Sequence, residues 1–226
     1  MANWTLQDFQ ENIASEMDQS PTAPTAGGTD WNIRKNAANR ALIDWQNSNE
    51  WDSLKVVFNG NITVAGYATL GLPGNFSKLD GLPVIAWDGS NTFQFQVYNP
   101  SNNNNYYDSD KYVNIFDNAR DGKYMYIHAN TLSSGASVQF TYYKSPQSLA
   151  SAIDIIECDD PTFILQRSLY FIYKGREDGR FPEAKVEADR ILARMIENQA
   201  SRGLAYKDRS IPNGLQQSGF RIGRDG

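Results

Sequence analysis

The most constraining feature of this chain is a change in the spacing of its apolar residues. From residue 5 to about residue 45, and again from residue 160 to about residue 200, apolar side chains recur every three or four positions, as in an α-helix. Between residues 55 and 144, short β-branched and aromatic runs alternate with polar residues and are separated by turn-forming residues, as in strands. The pattern predicts helices on both sides of an inserted β region.

Two helices are predicted in the N-terminal part. Thr5 can cap the first helix, and Asp8 three residues later completes the spacing of a capping box. Asp30 is the predicted N-cap of the second helix. The predicted apolar stripe of the first helix consists of Leu6, Phe9, Ile13 and Met17, and that of the second of Ala38, Leu42 and Trp45.

A helical hairpin is predicted near the C-terminus. Asp160 followed by Pro161 is typical of a helix start, because proline lacks the backbone donor that would be unpaired there. The stretch "KGREDGR" interrupts the pattern, and its two glycines predict a tight reversal. The predicted stripes consist of Phe163, Leu165, Leu169 and Ile172 before the reversal and Ala184, Ala188, Ile191 and Met195 after it.

The middle of the chain predicts about seven strands at regular spacing, which favours an antiparallel β-sandwich or barrel. The expected fold class is α+β. Residues 1–50 and 147–203 form a helical bundle, residues 51–146 an inserted β domain, and residues 204–226 an extended C-terminal tail.

Charge and composition restrict the function. The net charge is -5 and the pI about 4.9, so the chain lacks the basic field of a freestanding nucleic-acid binder. No apolar run approaches the roughly 18 residues of a membrane span, and we expect no membrane partner. The start "MANWTLQDFQ" lacks the pattern of a signal peptide, which predicts synthesis and retention in the cytoplasm.

Catalytic motifs are not found in the sequence. There is no Walker loop, GxSxG or HExxH, and the single cysteine and histidine, Cys158 and His128, are interpreted as structural residues. We therefore expect no enzyme activity, no cofactor and no metal. Four acidic residues leave a metal or general-acid alternative beside a structural one, namely Asp154, Glu157, Asp159 and Asp160. The stretch "SNNNNYYDSD", with Tyr106 and Tyr107, leaves sugar binding as an alternative to a plain loop.

The C-terminal tail combines apolar residues with an excess of basic ones. Such a composition is typical of a segment that becomes ordered on another chain. The candidate docking residues are Tyr206, Arg209, Ile211, Leu215, Phe220, Arg221 and Ile222.

The order of elements resembles that of a known family. Two N-terminal helices precede a β region that is entered near "LGLPGNF" and left through "SVQFTYYKSPQSL", and "DDPTFILQRSLYFIYKGREDGRFPEAKVEADRILARM" follows. This layout, over most of residues 4–200, resembles the head-to-tail connector (adaptor) proteins in the neck of tailed bacteriophages. The β region is larger than in the smallest members, so it can be an added outer domain.

The resemblance implies a structural virion protein located in the neck, between head and tail, and made in the host cytoplasm. Copies would form a ring, commonly a dodecamer, that binds the portal protein, extends the DNA channel for non-specific passage of double-stranded DNA, and docks the downstream neck or tail protein. The tail residues would then bind the portal. Two alternatives remain open at this point: a tail-tube or tail-completion protein of the same virion, and a carbohydrate-binding β-sandwich module.

Overall fold

A computed structural model describes residues 4–20, 22–62, 68–97, 112–118, 122–128, 132 and 135–209. The chain divides into two compact units. The helical unit comprises Met1–Trp45 and Leu149–Gly226, and the β unit comprises Gln46–Ser148.

Each of the four predicted helices is present in the described part of the chain. They are α1 (Leu6–Asp18), α2 (Thr29–Ser48), α3 (Pro161–Gly175) and α4 (Phe181–Arg209). The predicted stripes are buried except for Met17, which is half-buried. The buried stripe residues are Leu6, Phe9, Ile13, Ala38, Leu42, Trp45, Phe163, Leu165, Leu169, Ile172, Ala184, Ala188, Ile191 and Met195.

Two of the three predicted helix caps are confirmed. The Thr5 hydroxyl accepts a hydrogen bond from the backbone N–H of Asp8 (3.2 Å), and the Asp8 carboxylate accepts one from the N–H of Thr5 (2.8 Å), which completes the capping box. Asp160 caps α3 by accepting from the N–H of Thr162 at 3.1 Å. Asp30 is not an N-cap, because α2 already begins at Thr29 and places Asp30 in its first turn.

The reversal between α3 and α4 differs from the prediction. The left-handed residue is Glu177, with φ of 55°, and neither glycine of the "KGREDGR" stretch has a positive φ. The backbone N–H of Asp178 donates to the carbonyl of Tyr173 at 2.9 Å and so closes the end of α3. A second difference is that α4 continues to Arg209, so residues 204–209 are helical and the prediction of an extended tail is wrong for them.

The β unit contains eight described strands. They are β1 (Lys55–Asn61), β2 (Ala68–Gly71), β3 (Phe76–Leu79), β4 (Val84–Trp87), β5 (Thr92–Val97), β6 (Tyr112–Asn118), β7 (Gly122–His128) and β8 (Ser137–Lys144). Seven of them overlap the seven predicted runs, and β3 is additional.

The strands form one mixed sheet in the order β1-β8-β4-β5-β6-β7-β2, with β3 paired to β8. The pair β5–β6 is parallel and the other named pairs are antiparallel, so the prediction of a purely antiparallel domain is wrong at this pair. A parallel pair needs a long connection, and residues 98–111 between the two strands are long enough to supply one.

The sheet curves into a barrel-like form. Its end strands β1 and β2 approach each other at Gly60, where a Cβ atom would lie 3.3 Å from Leu70 Cδ1 and 2.6 Å from the Phe58 ring. Glycine therefore permits the close approach at the seam. The interior contains Phe95, Met125 and Ile127, each at most 1% exposed. The coarse expectation of an α+β protein with a barrel-like sheet is confirmed.

Candidate functional site

The acidic cluster before α3 stabilises the local backbone. Asp154 Oδ2 accepts hydrogen bonds from the N–H groups of Ser151 and Ala150, both at 2.7 Å, and these bonds hold the pKa of Asp154 below its usual value. Asp160 caps α3 and also accepts from Arg194 Nη2 at 2.9 Å. Within the residues that the structure describes, no three His, Cys, Asp or Glu side chains are grouped as they would be around a metal ion.

The single cysteine is placed where its thiol is unreactive. Burial raises the pKa of Cys158 well above its usual value, and its Sγ donates to the carbonyl of Asp160 at 3.4 Å. A nucleophilic cysteine needs the opposite, a lowered pKa beside a cationic group. His128 ends β7 in the β unit, whereas Cys158 belongs to the helical unit.

A charged cleft of about 290 Å³ opens in the β unit beside β3 and β8. Lys78 Nζ donates to Glu50 Oε1 at 2.6 Å, and the Tyr143 hydroxyl donates to Glu50 Oε2 at 3.4 Å. Lys55 Nζ lies 3.4 Å from Asp80 Oδ1. Both lysines lie over the Tyr143 ring, with Nζ of Lys78 5.1 Å and Nζ of Lys55 5.4 Å from its centroid. The charges at and beside the cleft are thus compensated by neighbouring groups. These contacts connect β1, β3 and β8.

The groups of this cleft are poor acids and bases near neutral pH. The hydrogen bond from Lys78 lowers the pKa of Glu50, so this carboxylate is a weak base. Burial acts to lower the pKa of Lys55, but the hydrogen bonds to Asp52 and Tyr143 outweigh it and raise the value. Burial also raises the pKa of Tyr143 to about 12. The arrangement therefore suits the stabilisation of neighbouring strands better than proton transfer.

The raised pKa of Tyr143 gives a direct test of this cleft. Because the folded β unit binds the phenolic proton more tightly than the unfolded chain does, this contribution to stability is full below pH 10 and is lost as the pH rises through about 12. Alkaline titration of tyrosinate absorbance should show that Tyr143→Phe removes a group titrating near pH 12. The control Tyr170→Phe should remove a group of lowered pKa. If Tyr143→Phe instead removed a phenol with the usual tyrosine pKa from the titration, the burial of this ring would be contradicted.

The helical unit has an open groove of about 330 Å³ between α2 and α3, called the α2–α3 groove below. It is lined by Ile33, Asn36, Ala37, Arg40, Phe171, Ile172, Gly175 and Arg176. The Arg40 guanidinium lies 4.1 Å from the centroid of the Phe171 ring and forms no ion pair with a carboxylate of the described residues. The groove therefore combines an apolar lining with an arginine that no described carboxylate neutralises.

Residues 150–157 form a second exposed apolar surface, called the isoleucine loop below. Ile153 is 79% exposed and Ile155 49% exposed, with Asp154 between them. Backbone hydrogen bonds of 2.8 to 2.9 Å hold this loop against the start of α1, including those from Leu6 to Asp154 and from Ile156 to Trp4. The two isoleucines are thus presented on a fixed backbone.

A third exposed apolar surface lies on α4. Val186 is 68% exposed and Ile196 37% exposed, whereas the stripe that contains Ala188 and Ile191 is buried. This helix therefore has apolar residues on two faces.

The sequence analysis predicted none of these three surfaces, although the sequence contains a signal for the α2–α3 groove and one for the isoleucine loop. Ile33, Ala37 and Arg40 recur at helical spacing beside the predicted stripe of α2, and isoleucines alternate with a carboxylate in "AIDII".

The candidate docking residues are only partly within the described chain. Tyr206 and Arg209 belong to the last turns of α4, so their backbone is helical. The remaining candidates lie outside the described residues: Ile211, Leu215, Phe220, Arg221 and Ile222. Tyr106 and Tyr107 of the sugar-binding alternative also lie outside them.

Among the described residues, no helix is both long enough and apolar enough to cross a membrane. No protein-family model matches this chain, and no curated protein matches it significantly.

Proposed function

We propose that this protein is a head-to-tail connector, or adaptor, in the neck of a tailed bacteriophage. Identical copies form a ring that binds the portal protein, extends the channel through which double-stranded DNA passes, and docks the next neck or tail protein. The chain acts by assembly and not by catalysis.

One observation carries this proposal: the helical unit exposes aliphatic side chains on three separate surfaces. These surfaces are the α2–α3 groove, the isoleucine loop and the outer face of α4, represented by Ile33, Ile153 and Val186. Exposed apolar groups that are contiguous in a patch mark places where another chain binds, whereas single exposed apolar residues are common on any surface. A subunit with different neighbours on different sides needs several such surfaces, as a ring member between portal and tail does.

The charge of the chain agrees with a DNA conduit. A protein that neutralises many phosphates with lysine and arginine binds DNA tightly, and such binding would hinder sliding. The net charge of -5 avoids this, although the C-terminal segment carries a basic excess. In the proposed role that segment is covered by the portal.

Native mass spectrometry with the portal protein encoded in the same genome tests the proposal. We expect the full-length chain to load onto portal rings in a number of copies that matches the ring symmetry. Binding to a tail-tube protein instead of the portal would identify a tail component. Binding to a glycan array without portal binding would identify a carbohydrate module, and either result overturns the adaptor role.

A further inference from the structure

The α2–α3 groove and the isoleucine loop have complementary chemistry, and both are exposed in the helical unit. We propose that the isoleucine loop of one copy fills the α2–α3 groove of the next copy. This inference rests on the proposed function, because it identifies the contact by which neighbouring copies in the ring bind each other.

The groove suits an apolar segment that carries negative charge. Its lining includes Ala37, Phe171 and Gly175, which carry no charge, and Ile33, which is 42% exposed. Arg40 stands above the Phe171 ring and has no described carboxylate as a partner. An incoming carboxylate would therefore meet an uncompensated cation.

The isoleucine loop has the matching properties. Ile153 and Ile155 supply exposed aliphatic side chains, and Asp154 between them stays ionised because two backbone N–H groups stabilise its carboxylate. The antiparallel bridge between Thr5 and Ile155 fixes the backbone of the loop. A surface that is rigid before binding loses little conformational freedom when it docks, which favours association.

The positions of the two surfaces predict the symmetry of the contact. The loop leads into the start of α3 at Pro161, whereas the groove is formed by Phe171 and later residues. At a rise of about 1.5 Å per residue, these ends of α3 are separated by roughly 15 Å. When the loop of each copy fills the groove of the next copy in one direction, the contact is heterologous, and its repetition closes into a ring when the rotation fits.

The occupant is identified by charge as well as by shape. The groove carries Arg40, which has no described carboxylate as a partner, beside Arg176, which already pairs with Asp30 at 3.8 Å. In the isoleucine loop, the same chain supplies exposed isoleucines directly beside a carboxylate. A second copy thus satisfies the apolar and the electrostatic requirements of the groove together.

Disulfide trapping tests the contact on portal-bound protein. A chain carrying both Ile33→Cys and Ile153→Cys should give a ladder of covalently linked copies after mild oxidation. Each single substitution should give no ladder, because one partner cysteine is then missing at every contact. All three chains also carry Cys158→Ser, because this half-buried cysteine lies next to the isoleucine loop and would otherwise supply a second thiol.

Substitution of one surface residue gives an independent measurement. Ile153→Asp should lower the number of copies bound per portal by about tenfold or more. Leu82→Asp is the matched control, because Leu82 is equally aliphatic, is 55% exposed and lies in the β unit, outside the three surfaces. Both changes lie on the surface and should leave the circular dichroism spectrum unchanged.

The outcomes separate this inference from the proposed function. A complete ring on the portal with no ladder, or with full loading by Ile153→Asp, overturns the loop-to-groove contact and leaves the adaptor role standing. Failure of the wild-type chain to load onto the portal overturns the adaptor role, and the inference with it.

Discussion

Removal of residues 210–226 is expected to abolish loading onto the portal and to leave the fold of both units unchanged. The deleted segment follows the end of α4 at Arg209, and among the residues of α4 up to Ser201, Met195 is the last buried one. No described core residue is therefore lost. The deletion does remove four apolar residues that we propose to bind the portal, Ile211, Leu215, Phe220 and Ile222.

The deletion begins at residue 210 because α4 ends at Arg209. A deletion that began at residue 204 would remove the last turns of α4 and would mix a change in the helix with a loss of docking. Circular dichroism and thermal unfolding should agree between the truncated and full-length chains, and native mass spectrometry should find the truncated chain unbound.

A matched variant separates apolar docking from charge. Replacement of Ile211, Leu215, Phe220 and Ile222 by serine keeps the length and the charge of the segment, and we expect it to behave like the truncation. Normal loading of the truncated chain would show that the segment has no part in portal binding. Unfolding of the truncated chain would show that it belongs to the core.

The helices could be predicted because their signals are local. A stripe such as Leu6, Phe9 and Ile13 lies within one helix, and a cap such as Asp160 acts within three residues of its partner. The reversal at Glu177 could not be predicted in the same way, since a non-glycine residue enters the left-handed region only when the surrounding structure compensates for the strain.

The β unit shows why strand pairing is harder to predict. The runs themselves were recognisable from alternation, but the parallel pairing of β5 with β6 depends on residues far apart in the sequence. The strand β3 was missed because it is short and its register with β8 shifts between Phe76 and Lys78, which disturbs the alternation.

The candidate surfaces could not be derived from the sequence because exposure is a tertiary property. Ile33 and Ala37 both lie on α2, yet Ile33 is 42% exposed and Ala37 is 7% exposed. Arg34, between them, has the composition of a surface residue and is instead buried at 4% exposure. Which helix face is covered depends on where α1 and α3 pack, and periodicity within α2 does not contain that information.

The ion pair between buried Arg34 and Asp18 leads to a prediction of unequal effects when its two members are replaced. Arg34 Nη2 donates to Asp18 Oδ2 at 2.6 Å, and Asp18 remains 46% exposed. Asp18→Ala would leave a buried guanidinium without its carboxylate, and such unpaired charges are strongly destabilising. Because Asp18 is partly solvated, we expect a loss of about 2 kcal/mol, below the roughly 3–5 kcal/mol typical of fully buried pairs.

Arg34→Met should cost much less than Asp18→Ala, although it removes the buried partner. Among the described residues, Arg34 Nε and Nη1 find no acceptor, so the folded state already carries part of the cost of desolvating this cation. Methionine fills a similar volume without charge, and the Asp18 carboxylate left behind is 46% exposed and stays hydrated, so we expect a change within about 1 kcal/mol. Chemical denaturation followed by helical circular dichroism measures both variants. If Arg34→Met proved as destabilising as Asp18→Ala, the pair would be a net source of stability, and its attraction would exceed the desolvation cost that its burial implies.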